Sequence, residues 1–147
     1  MRDEGRAVRD EGRPERLSAR RPIRSYRDLL AWQKAMDLLE LVYRLTSALP
    51  PREAFGLTGQ VRRAVVSVPG NIAEGHGRVH RGDFVRHLAI ARGSLLEVET
   101  YLLALVRIGY VPEVNAEPAL ALCDEISRLI AGLLKSLGEL RFHGPRR

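Results

Sequence analysis

The chain has 147 residues and a formal net charge of +6, with 45% hydrophobic and only 5% aromatic residues. That length suits one domain folding without disulfides or metal, and the aliphatic balance fits packed Leu, Val and Ala helices better than an aromatic-rich sheet. No apolar run approaches the ~18 residues of a membrane span, and the N-terminus is charged rather than signal-like, so a cytoplasmic protein is expected. The single cysteine, Cys123, has no internal disulfide partner and lies in an apolar-periodic stretch, which suits a buried thiol in a reducing compartment.

The charge is unevenly placed. Residues 1–25 hold eight arginines against five acids, and residues 142–147 add Arg146 and Arg147. The body between them, 26–141, carries 14 basic and 13 acidic residues and is close to neutral. Within it, residues 62–92 contain six arginines against Glu74 and Asp83, whereas 93–125 contain Arg107 against six acids. The expected organisation is a disordered basic arm over 1–25, a folded unit over 26–141 and a basic tail over 142–147. The arm repeats Arg-Asp-Glu-Gly-Arg at 2–6 and 9–13 and has too few apolar residues to offset its ordering entropy. It serves either as a basic arm or as an extended start of the reading frame.

The first predicted helix runs from about Tyr26 to Leu49, ended by Pro50-Pro51. Its polar residues Gln33, Asp37, Glu40 and Arg44 follow helical spacing and form one narrow stripe; almost everything else, including Leu29, Leu30, Trp32 and Leu38, is apolar. An arc that wide exceeds one core-facing side, so the helix is either central or meets another subunit.

The second spans roughly Leu57 to Glu74, stopping at Gly75-His76-Gly77, with a core stripe of Leu57, Val61, Val65, Val68 and Ile72. Beside it runs a polar line: Gln60, Arg63, Ser67, Asn71 and Glu74. This line is either a wet helix face or a hydrogen-bonded network between helices or subunits, of the kind that fixes register. Pro69 is expected to kink or break this helix.

The third helix is expected from Asp83, as N-cap, to Ile108, with a seam of Phe84, Leu88, Ala91, Leu95, Val98, Leu102 and Leu105 in steps of four and three. The fourth begins between Pro112 and Pro118 and reaches about Arg141 with a seam of Leu122, Ile126, Leu129, Leu133, Leu137 and Leu140. Four helices with short connections predict an all-α, antiparallel up-down-up-down four-helix bundle.

Signatures of chemistry are scarce. No Glu has a His three positions on, as carboxylate-bridged metal bundles require. His76, His80 and His87 cluster around the loop after the second helix and read as solvated loop histidines, because glycines at 75, 77 and 82 leave the first two without rigid spacing and no nearby cysteine completes a metal set. Gly75-His76-Gly77 lacks the Lys-Ser/Thr ending of a phosphate loop, and neither Ser67 nor Ser94 has a recognisable base. No enzyme, metal or cofactor is expected.

Several blocks, in order and at the right spacing, carry a resemblance: Leu29-Leu30-Ala31-Trp32-Gln33-Lys34-Ala35, Gln60-Val61-Arg62-Arg63-Ala64, Ser67, Asn71-Ile72-Ala73-Glu74-Gly75 and Ala91-Arg92-Gly93-Ser94-Leu95-Leu96-Glu97. Over roughly residues 26–135 the chain resembles the bacterial four-helix bundle family of intervening-sequence proteins, whose members include proteins encoded within insertions in large-subunit ribosomal RNA genes. The resemblance implies a homopentameric ring. It also implies kinship with the accessory variability determinant of diversity-generating retroelements, a similar pentamer that binds nucleic acid and a reverse transcriptase.

Two functions follow as expectations. One is a homo-oligomer binding RNA or DNA through Arg62, Arg63, Arg78, Arg81, Arg86 and Arg92, with the ring multiplying a modest patch. The other is a protein-interaction scaffold, with another protein such as a reverse transcriptase as partner, whose charges hold subunits together. The opposite charges of 62–92 and 93–125 supply a head-to-tail contact, or else pair within one subunit.

Overall fold

The computed structural model describes residues 22–139; residues 1–21 of the expected arm, the whole of the expected tail and the expected helix end at Leu140–Arg141 lie outside that range. A short 3-10 turn, Tyr26–Asp28, leads into α1 (Leu30–Thr46), α2 (Leu57–His76), α3 (Arg81–Ile108) and α4 (Glu113–Glu139). Among the described residues there is no strand.

Adjacent helices are antiparallel. Arg62 near the start of α2 bonds to Thr46 at the end of α1, and a groove brings Leu29 and Leu30 beside Leu129 and Leu133 near the end of α4. One end of the bundle therefore holds the chain entry before α1, the α2–α3 turn and the end of α4. The other holds the α1–α2 and α3–α4 connections.

Local chemistry explains the boundaries. The first helix is shorter than expected because Ser25 caps the 3-10 turn in a capping box with Asp28, and Leu29 is extended. Glu53 caps α2, its Oε2 accepting from Leu57 N–H at 3.1 Å. Pro69 does not break α2, which runs through it to His76 with the ring buried; packing outweighs the one missing donor. Asp83 is not the N-cap of α3. His80 takes that position, and Asp83 lies in the first turn, where its charge favours the helix N-terminus. Gly109, at φ 91°, ends α3 in the left-handed conformation that glycine adopts without strain.

The core collects Leu38, Val42, Val61, Val65, Ile72, Leu88, Leu95, Leu102, Ile126 and Ile130. On α3 the expected seam is buried apart from Phe84, which is half-buried. On α4 the buried line is instead Ala116, Ala119, Cys123, Ile126 and Ile130, one step round from the expected leucines, of which Leu122, Leu129, Leu133 and Leu137 are half-buried. Small side chains let the first half of α4 press against its neighbours, so the larger leucines fall on the flanks.

The apolar excess expected on the first helix divides. Trp32, Met36, Leu39, Leu41 and Leu45 are half-buried, Trp32 edge-on to Tyr26 at 5.3 Å. A clearer unpartnered surface lies on α3, where Leu96 is 56% and Leu103 47% exposed. Among the described residues no helix is long and apolar enough to cross a membrane.

Candidate functional site: a polar seam and a basic turn

Helices α2 and α3 approach closely because small residues line their contact. At Gly75 an added Cβ would meet His87 Cβ at 2.6 Å and Phe84 at 3.0 Å, so only glycine fits the observed spacing. This closeness closes a hydrogen-bonded chain between the helices. Ser94 Oγ donates to Ser67 Oγ at 2.9 Å, and Asn71 Nδ2 donates to Ser67 Oγ and Ser67 O, both at 2.9 Å. With its amide nitrogen so engaged, Asn71 presents Oδ1 to His87 Nδ1 at 3.0 Å, which fixes Nδ1 as the donor.

His87 is only 5% exposed. It is a buried member of α3 rather than a solvated loop histidine. Its Nε2 makes no hydrogen bond and faces Glu74 Oε1 at 4.0 Å. The same Glu74 oxygen accepts from Arg78 at 2.8 Å. That hydrogen bond, then the positive charge His87 carries when protonated, hold the exposed Glu74 carboxyl below its ordinary value, against a smaller opposing effect of burial.

Of the polar line expected on α2, the seam gathers Ser67, Asn71 and Glu74. Gln60 and Arg63 are exposed and take no part in it. The seam's other half, His87 and Ser94, comes from α3, and sequence reasoning missed it. Their seven-residue spacing, with Ala91 between, was the available signal.

The six candidate arginines do not form one patch. Arg62 is held against α1, its Nε donating to Thr46 Oγ1 at 3.0 Å and its guanidinium lying 4.4 Å from the Tyr43 ring centre. It joins two helices. Arg63 is exposed on the first half of α2, ~20 Å along the axis from the turn at a rise of 1.5 Å per residue. Arg78, Arg81 and Arg86 cluster in and just after the α2–α3 turn, and Arg92 lies further along α3; all four are exposed. Phe84, the aromatic nearest this cluster, is half-buried and edge-on to His76 at 5.7 Å.

Expected intramolecular pairing between the two charged segments is not seen among the described residues. The ion pairs there are Lys34–Glu125, Arg44–Glu40, Arg78–Glu74 and the His87–Glu74 approach. None joins an arginine of 62–92 to an acid of 93–125. No group of three or more His, Cys, Asp or Glu side chains poised for a metal occurs among the described residues.

Fold and seam define an all-helical bundle whose two central helices are locked by polar contacts. The family model of the 23S rRNA-intervening sequence proteins matches residues 27–132. The chain belongs to that family. A solved structure from Bacteroides thetaiotaomicron, a protein of unknown function from the S23 ribosomal protein family, is similar at 24% identity and a TM-score of 0.65. The similarity covers 72% of this chain and 99% of that one, and it shows a shared fold. No curated protein matches the chain.

Proposed function

We propose that the chain is a non-enzymatic bundle that assembles with copies of itself into a closed ring and binds RNA or DNA through exposed arginines. The observation that carries this reading is the unpaired charge. Arg63, Arg81 and Arg92 make no ion pair with an acid among the described residues, and Glu97, Glu99, Glu113, Glu117 and Asp124 make none with a base. Opposite charges left apart within one subunit are available to a neighbour or a polyanion. The exposed leucines of α3 support self-association by offering apolar surface beside those charges. The number five rests on the family resemblance alone.

A non-enzymatic role is supported by the seam's chemistry, because the Ser67 and Ser94 hydroxyls bond to each other and to Asn71 rather than to a base. The test is light scattering or native mass spectrometry at micromolar concentration, followed by RNA and DNA binding across a salt series. A pentamer whose affinity falls with salt supports the whole reading. A monomer or a two-fold dimer overturns the ring, and absence of binding at low salt overturns the nucleic-acid half. That last outcome leaves a scaffold for another protein, a reverse transcriptase among the partners the resemblance suggests.

A further inference from the structure

We infer that nucleic acid docks on one end of the bundle, the end formed by the α2–α3 turn, and not along the helix flanks. The inference rests on the nucleic-acid reading above and assigns it a surface. Dividing each helix at its midpoint, the half of the bundle containing that turn carries nine basic and five acidic residues, and the opposite half carries five and eight. The polarity is therefore axial. It differs from the segmental polarity of the sequence because Arg62 and Arg63 start α2 at the far end.

The nine include Arg24 and Arg27, which precede α1 at this end.

Distance keeps the two ends independent. Helices of 27 and 28 residues are ~40 Å long, several times the ~8 Å Debye length at physiological salt. Acids at the far end do not cancel the basic end for a polyanion docked on it. With Phe84 half-buried against His76, the surface offers guanidinium groups rather than stacking rings. It suits phosphate backbone without sequence preference, from either RNA or DNA. In a ring of bundles standing side by side, cyclic symmetry repeats this end on one face, while the flanks remain for subunit contacts.

The test compares two triple variants of the full chain in binding a single-stranded RNA and a duplex DNA of equal length. Arg78→Ala, Arg81→Ala, Arg86→Ala removes the basic end; Arg52→Ala, Arg63→Ala, Arg107→Ala removes equal charge from the opposite half. The first is expected to weaken binding at low salt by tenfold or more and to flatten the salt slope by ~2–3 units; the second, by less than about threefold. A Lys triple at 78, 81 and 86 keeps the charge and retains binding, which separates lost charge from lost folding. Light scattering on each variant holds the oligomeric state in view. If the Arg52/Arg63/Arg107 variant weakens binding as much as the other, the end-on surface is overturned while nucleic-acid binding stands. If the unaltered protein binds neither ligand at low salt, both fall together.

Discussion

Gly75→Ala isolates the contact that sets the spacing of α2 and α3. A Cβ at that position would approach His87 Cβ at 2.6 Å and Phe84 Cδ2 at 3.0 Å, where ordinary van der Waals contact begins at 3.4 Å. The first of these atoms is tied directly to the α3 backbone, so the helices must part by several tenths of an ångström. Parting stretches the 3.0 Å bond between Asn71 and His87, whose buried ring makes no second hydrogen bond to compensate. Overpacking of this kind costs about 1–3 kcal/mol, and alanine's better helix propensity returns up to ~1 kcal/mol. The net expectation is a loss of about 1–2 kcal/mol, or roughly 2–8 °C in Tm for a domain of this size. Gly70, five residues earlier in the same helix, is the control. An added Cβ there meets nothing within 4 Å, so Gly70→Ala should gain ~0.5–1 kcal/mol. Thermal denaturation followed by far-ultraviolet circular dichroism, at one fixed protein concentration, measures both. Equal stabilisation by the two alanines would refute the close-approach argument.

Arg62→Ala should destabilise the protein by about 1–2 kcal/mol in chemical denaturation, since it removes the guanidinium from Tyr43 and leaves Thr46 without its cross-helix donor, while the salt slope of nucleic-acid binding stays unchanged. A slope reduced by one unit would return Arg62 to the binding surface. Burial, with Glu99 and Asp124 nearby, pushes the Cys123 thiol up to about 12 from an ordinary 9.0. The folded state thus favours the protonated thiol: this contribution is intact below pH 9 and is lost as pH rises towards 12. At pH 8 a thiol-disulfide reagent should label native Cys123 at least ~10³-fold more slowly than the urea-unfolded chain; comparable rates would show the thiol to be open.

The local elements were legible in the sequence because their signals are local. Pro50-Pro51 and Gly109 end helices by removing a donor or permitting positive φ, whatever the rest of the chain does. The four-three spacing on α3 identified its core seam because large apolar residues there had no competing stripe. On α4 two adjacent stripes competed. The sequence favoured the leucines, and the structure buried Ala116, Ala119 and Cys123, since helix spacing rather than side-chain size selects which stripe faces inward.

The polar seam divides in the same way. Ser67 and Asn71 stood out as polar residues beside a core stripe, a pattern visible within one helix. Their partners His87 and Ser94 belong to another helix, and the pairing depends on the antiparallel register that Gly75 permits. The arginines make the point most directly. Residues 62–92 are one basic run in sequence, yet α2 sets Arg62 and Arg63 ~20 Å along the axis from the turn that holds Arg78. The sequence by itself determined the helices, their breakers and the total charge, all set by neighbours along the chain. Only the tertiary structure decided which arginines share a surface and which polar groups find partners, because both depend on how antiparallel helices fold distant residues back to one level.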